Sequence, residues 1–332
     1  MSDKKILTIS IAAYNVEKYI RQALDSLLVP EILDDIEVFV IDDGGSDNTL
    51  SIAKEYENKY PNTFKAIHKE NGGYGSTLNY SIKNASGKYF KVLDGDDWFD
   101  IKGFKSLVDY LKNSDADAVF TIFNKCYPNR IEQDGTFKNC KLSNLIAIED
   151  LNIKNGIPMH AITYKTSILK ESNLHLPEKI PYTDNYYVSI PFKLIQTVII
   201  KDFIVYNYRL EREGQSVSKN TFIKNLDTLY KISYDLVDFY EGLKKENKAH
   251  EYLSYRVAAT CADNYRTILQ KPSNLETLQE LKSFESSIKQ KSPIIYKNMA
   301  RLDRKMSFII RLLRVTNYIF YKPLFAIINK TA

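Results

Sequence analysis

Cysteine is nearly absent from this chain of 332 residues. Cys126, Cys140 and Cys261 are odd in number and form no C-x-x-C pair. That argues against a disulfide framework and a structural zinc site, and fits a reducing compartment. Long apolar runs are missing too. The first ends at Asn15 after about ten residues, too short for a signal peptide. No run approaches the length of a membrane-spanning helix. Phosphate-loop fingerprints also fail. Gly72-Gly73-Tyr74-Gly75 is not G-x-G-x-x-G, and Gly87-Lys88 lacks the upstream glycine of a Walker loop. No Asp-x-Asp-x-Thr strand end of the haloacid-dehalogenase type is found, since residues 42–46 read D-D-G-G-S. Internal repeats and low-complexity linkers are lacking.

Charge of one sign is scarce over most of the chain and concentrated at its end. The formal net charge is +5. Residues 286–332 hold ten basic side chains and one acid, Asp303, so the tail carries +9 and the rest −4. A general nucleic-acid-binding surface is therefore not indicated. Tyrosine is abundant, at 24 residues. Together with the many Lys, Asn and Ile, this reads first as coding bias.

The first half alternates strand and helix patterns. Strands are expected at residues 6–11, 37–41, 64–67, 89–93 and 118–123. Helices are expected at 16–28 (capped by Asn15), 49–59, 75–84 and 101–111. This β-α-β-α order predicts an α/β fold with a mostly parallel sheet covered on both faces. Further on, the pattern predicts hairpins, strands at 160–164, 198–200 and 205–208, and a helix at 185–195. Beyond Thr221 it is helical to the end. Domains are expected at 1–220 and 221–332, the second helical.

In such sheets ligands bind beyond the carboxyl ends of the strands. The polar clusters fall there, above all Asp94-Gly95-Asp96-Asp97. Carboxylates this dense repel one another unless a cation neutralises them. Mg²⁺ or Mn²⁺ takes oxygen ligands and bridges to phosphates. A solvated acidic turn capping the next helix is the simpler reading. A second acidic strand end at Asp42-Asp43 weighs against it.

Four blocks occur together: I-S-I-A-A-Y-N at 9–15, V-I-D-D-G-G-S-D at 40–47, residues 71–79 with G-K-Y at 87–89, and L-D-G-D-D-W at 93–98. In order and spacing the set resembles the family 2 glycosyltransferases of the GT-A fold, over roughly residues 5–215. The resemblance implies an inverting, metal-dependent enzyme that moves a sugar from a UDP- or TDP-sugar to a hydroxyl. Ala12 and Tyr14 match nucleobase-holding positions, and Asp43 the carboxylate that meets a uracil-type base edge. Asn79 matches a residue bracing the nucleotide-sugar site. Asp94 and Asp96 match donor contacts, and Asp96 and Asp97 the ligands of Mn²⁺ or Mg²⁺. Ala12-Ala13 departs from the Pro or Thr often found there, leaving a backbone contact.

Asp184 matches the catalytic base, although this chain has Thr183-Asp184 where relatives often carry an acidic pair. Asp184 also precedes an expected helix, whose dipole keeps a carboxylate ionised. As an N-cap it would do nothing more. Trp98, His160, Arg212, Gln215 and Ser216 are candidates for the acceptor side or a closing loop.

In the tail, Leu302, Met306, Ile309, Ile310 and Leu313 recur at helical spacing among Arg301, Arg304, Lys305, Arg311 and Arg314. The pattern predicts an interfacial helix on an anionic membrane, or a helix packed on the protein. The expected setting is cytoplasmic and peripheral on the inner face of the cell membrane. The expected acceptor is a saccharide, lipid-linked, in capsule, exopolysaccharide or wall-polymer synthesis. A sugar nucleotidyltransferase and a non-catalytic nucleotide-sugar-binding protein are the alternatives.

Overall fold

The computed structural model describes residues 5–142, 144–212, 218–303 and 305–321. These form two compact units. The first runs to Ile148 and resumes at Pro158; the second takes residues 149–157 and the helical remainder. The division therefore falls near 213, and a short piece from the first half belongs to the second unit.

The first unit is built on one mixed sheet. Its strands are β1 (Leu7–Ala13), β2 (Ile36–Asp42), β3 (Phe64–His68), β4 (Tyr89–Asp94), β5 (Trp98–Phe99), β6 (Ala118–Tyr127), β7 (Arg130–Gln133), β8 (Leu145–Ala147), β9 (Ile162–Lys165) and β10 (Thr197–Arg209). Their order is β3-β2-β1-β4-β9-β6-β10-β5, with β7 on β6 and β8 on β10. The β3-β2-β1-β4 half is parallel, as expected. β9 enters antiparallel between β4 and β6. The sheet is thus mixed, because β9 follows a long excursion and not a helical crossover. β1, β2 and β4 are buried at almost every residue. Strands covered on both faces read as continuous apolar runs.

The unit's helices are α1 (Ile20–Asp25), α2 (Thr49–Lys59), α3 (Tyr74–Asn84), α4 (Ile101–Lys112), α5 (Thr166–Glu171) and α6 (Asp184–Tyr187). Three expectations are corrected. The helix of 16–28 shrinks to α1, and Asn15 does not cap it. Asn15 sits at φ 51°, and its Oδ1 accepts the Ser46 N–H (2.8 Å), tying the β1 and β2 loops together. The helix of 185–195 breaks into α6 and a 3-10 turn at Ile190–Leu194, whose Pro191 cannot continue an α-helix. The two strands expected at 198–208 are one, β10, with register shifts between Lys201 and Tyr206.

Gly103 shows how closely α4 meets the sheet. A Cβ there would lie 1.7 Å from the Ile204 carbonyl oxygen, a backbone atom that cannot rotate away. Gly103→Ala is expected to destabilise the chain by ~3 kcal/mol or more as overpacking against backbone. A urea titration measures it, and an unchanged midpoint would refute so tight a contact.

The second unit contains α7 (Lys219–Lys224), α8 (Leu226–Glu241), α9 (His250–Ile268), α10 (Leu275–Lys291), α11 (Pro293–Met299) and α12 (Lys305–Val315). The helix α9 is its core, with Leu253, Val257, Ala258, Cys261, Tyr265 and Ile268 wholly buried. Among the described residues no helix is long and apolar enough to cross a membrane.

Candidate active site

The carboxyl ends of β1, β2 and β4 form one rim. Register places Ala12 beside Asp94 and Ala13 beside Asp42. The acidic loop folds back on β1: the Gly95 N–H donates to the Ala12 carbonyl (3.1 Å), and the Asp97 N–H closes a turn on the Asp94 carbonyl (3.0 Å). The Ala12 backbone thus holds the loop.

Asp97 is 1% exposed. Its Oδ2 accepts the Tyr206 hydroxyl (2.7 Å) and its Oδ1 the Arg209 backbone N–H (2.7 Å). The same Tyr206 oxygen accepts the Asp94 N–H (3.0 Å), so one phenol fixes both ends of the loop. Burial, then the charges of Asp94 and Asp96, push the Asp97 carboxyl well above its usual range. Burial, then Asp96, push Asp94 up to about 8, opposed by the Tyr74 hydroxyl. Among the described residues Asp94 Oδ1, which is buried, has no hydrogen-bond partner.

His160 comes from the short 3-10 turn Met159–Ala161 before β9. Its ring stacks on Tyr208 (4.3 Å between centroids) and packs against Tyr206 and Phe123. Burial, then the nearby Lys91 charge, lower its pKa to about 3, so the imidazole is neutral at pH 7. Among the described residues its buried Nδ1 has no hydrogen-bond partner. Lys91, wholly buried in β4, donates to the His160 carbonyl (2.8 Å) and the Ile162 carbonyl (3.2 Å).

Ligand atoms of Asp94, Asp97 and His160 lie within 4.8 Å of one another. Two crowded carboxylates and a neutral imidazole, with Asp94 Oδ1 and His160 Nδ1 unpartnered, fit a divalent cation. Oxygen ligands suit Mg²⁺ and Mn²⁺, and the imidazole tilts the set toward Mn²⁺. The pair expected from sequence was Asp96 and Asp97. Asp96 stands apart from this trio: its Oδ2 is ion-paired to the Arg212 guanidinium, and its carbonyl accepts Arg209 Nε (2.8 Å).

The remaining expected residues fall as follows. Tyr14, on the rim, is 54% exposed, open for stacking. Asp43 is 4% exposed and braces the loop before α3. Its Oδ1 takes Lys69 Nζ (2.8 Å), the Gly72 N–H (2.9 Å) and the Ser76 hydroxyl (3.3 Å). Among the described residues its Oδ2 takes only the N–H of Gly73 (2.7 Å), which sits at φ +78°. A carboxylate oxygen accepts about two bonds, so Oδ2 keeps acceptor capacity.

Asn79 braces a neighbouring segment. Its amide is engaged at both ends by the Leu176 backbone (2.9 Å each), so it secures the segment leading to Asp184. Asp184 opens α6, and Thr183 is the cap position, so Asp184 is not an N-cap. With four residues, α6 has little dipole to offer it. The Asp184 charge acts on Asp94, Tyr74 and Tyr208, which places it at the acidic loop. The Trp98 ring carries the Arg209 guanidinium over it (4.7 Å). One face of that ring is therefore covered by a side chain. Gln215 and Ser216 lie outside the described residues. Tyr74, Lys91, Tyr206, Tyr208 and Arg209 were not singled out by the sequence.

The arrangement is a strand-end carboxylate site on an α/β scaffold, the form of a nucleotide-sugar transferase. Residues 8–172 match the family model "Glycosyl transferase family 2", and the chain belongs to that family. Among curated relatives it is 29% identical over 234 residues to a glycosyltransferase of Mycoplasma pneumoniae, covering 70% of this chain and 77% of that one. It is 27% identical over 264 residues to the minor teichoic acid biosynthesis protein GgaB of Bacillus subtilis, covering 74% of this chain but only 27% of that longer protein. Among solved structures, S. aureus TarS in complex with UDP-GlcNAc superposes with a TM-score of 0.70 at 20% identity, covering 96% of this chain and 90% of that one. The Pyrobaculum calidifontis mannosyltransferase PcManGT in complex with GDP-Man and Mn²⁺ gives 0.55 at 15% identity, covering 98% and 87%. These structural likenesses establish a GT-A fold.

Proposed function

We propose that this chain transfers a sugar, with inversion, from a UDP- or TDP-sugar to a hydroxyl of a saccharide acceptor. The observation that carries the reading is the Asp94, Asp97 and His160 trio on the strand-end rim that also bears Tyr14 and Asp43. Asp94, Asp97 and His160 would hold a divalent cation, which would supply positive charge to the leaving nucleoside diphosphate. Tyr14 stacks on the base, and the free acceptor site of Asp43 Oδ2 takes its N3–H. Asp184 removes the proton of the acceptor hydroxyl as that oxygen attacks the anomeric carbon. Arg212, now on Asp96, and Arg209 supply positive charge beside the leaving group. The polymer-synthesis setting draws support from GgaB, and a lipid-linked acceptor would be met by a peripheral, membrane-resting enzyme.

Nucleobase choice tests the donor side. Uracil and thymine offer an N3–H to a lone carboxylate oxygen, and guanine does not present that edge in the same place. UDP or TDP should bind at least ~10-fold tighter than GDP, the value of one charge-assisted hydrogen bond. Calorimetry with Mn²⁺ present measures it, and tighter GDP binding would overturn the Asp43 assignment. Excess chelator should abolish transfer; full activity there would remove the cation from the reading.

A further inference from the structure

The tail helix α12 has two apolar stripes, and only one is buried. Ile310 and Leu313 are wholly enclosed, and Leu302 is 5% exposed. Arg314 is also interior: its Nε donates to Glu285 (2.6 Å) and its guanidinium lies over Tyr296 (3.6 Å). These were among the groups expected to enter a membrane, and they are committed to packing within the second unit.

The second stripe has no cover among the described residues. Phe308 is 63% exposed, Val315 81%, Ile319 77% and Phe320 47%. Phe308 and Val315 are two helical turns apart on one face, with the half-buried Leu312 between them. Ile319 and Phe320 follow in the turn that ends the helix, where Asn317 and Tyr318 take positive φ. Single exposed apolar side chains are ordinary; four within thirteen residues mark an interaction surface. Arg311 lies on the same face, between Phe308 and Val315 by helical spacing. Its exposed guanidinium reaches the Ala300 carbonyl (2.9 Å). Along residues 297–311, Lys297, Arg301 and Lys305 are exposed as well, against one exposed acid among the described residues of that stretch, Asp303.

We propose that the face formed by Phe308, Arg311, Val315, Ile319 and Phe320 seats the chain on an anionic lipid bilayer. The inference rests on the peripheral placement proposed above and names its surface. Exposed apolar groups interspersed with exposed basic ones match the acyl and headgroup layers of such a bilayer. A second copy of this chain would bring like charges together, so a lipid surface is the better fit.

The test is co-sedimentation of the full chain with phosphatidylglycerol-containing vesicles and with pure phosphatidylcholine vesicles. The wild type should bind the first far better, and less tightly as salt rises. A combined Phe308→Ser, Val315→Ser and Ile319→Ser variant should lose roughly 100-fold in partitioning, because three apolar side chains no longer insert. A Lys305→Glu, Arg311→Glu variant should bind weakly with a flatter salt dependence. All these positions are exposed, so unchanged melting temperatures and UDP binding would show intact folding. If the serine variant binds like wild type, this face is wrong while the peripheral reading stands. If the wild type ignores both vesicles, both fall. If the wild type is dimeric and the serine variant monomeric, the occupant is a second copy and the lipid proposal is overturned.

Discussion

Asp94→Asn is expected to lower sugar transfer by roughly 10²–10³-fold, as removal of a single electrostatic stabiliser does, while raising the melting temperature of the metal-free protein. The two effects share a cause. Three carboxylates crowd one loop, and Asp94 carries a buried oxygen with no hydrogen-bond partner among the described residues. Burial and the Asp96 charge raise its pKa to about 8, against an ordinary value near ~4. The folded chain therefore holds this proton to higher pH than the unfolded chain does. Stability from this group falls as pH climbs from ~4 through about 8. The D94N variant is neutral throughout and should lack that decline. Mn²⁺ should reverse the order by stabilising wild type through binding to the folded state, and should do little for D94N. Melting curves across pH, with and without Mn²⁺, measure all of this. An active variant, or one that melts lower than wild type without metal, would contradict the assignment.

The parallel half of the sheet was legible because its strands are buried on both faces. The helix of residues 49–59 was read to the residue, since Ile52, Ala53 and Tyr56 mark one buried side. Where a short side chain replaced the expected backbone pattern, the reading failed. Asn15 looked like a cap, yet it tolerates the left-handed conformation and bonds a different loop. The acidic loop itself was visible as a motif. Its partners were not, because they arrive from far along the chain. The sequence points to His160 as an acceptor-side group, but nothing local indicates that it faces Asp94 and Asp97 across more than 60 residues. Tyr206 and Arg209 reach Asp97 only because β10 lies beside β5 and β6. The signal available was alternation: Tyr206 and Tyr208 fall on one side of a strand at period 2. The high tyrosine count had been read as coding bias, which concealed that Tyr74, Tyr206 and Tyr208 line the loop.

Asp184→Asn should leave donor binding intact and reduce turnover by roughly 10²-fold or more, the effect of losing a general base. Asparagine matches the size and keeps one acceptor oxygen, so it tests proton abstraction and little else. Asp184 is the first residue of α6 and not its cap, so no capping energy is removed. The approach to α6 is held independently, by the paired Asn79–Leu176 bonds. The short helix is also anchored by the buried Tyr186 and Tyr187. Folding should therefore be close to wild type. Burial chiefly raises the pKa values of Asp94, Tyr74 and Tyr208, and a smaller part comes from the Asp184 charge. Its removal makes Asp94 easier to ionise, so cation and donor affinity should hold or improve slightly. A base whose only task is the acceptor proton predicts a fall in kcat with an unchanged Kd for the donor. A structural residue would instead move both together, along with the melting temperature. Single-turnover transfer beside calorimetry with the donor separates the two, and near-normal turnover would leave Asp184 as a loop residue beside the acidic site.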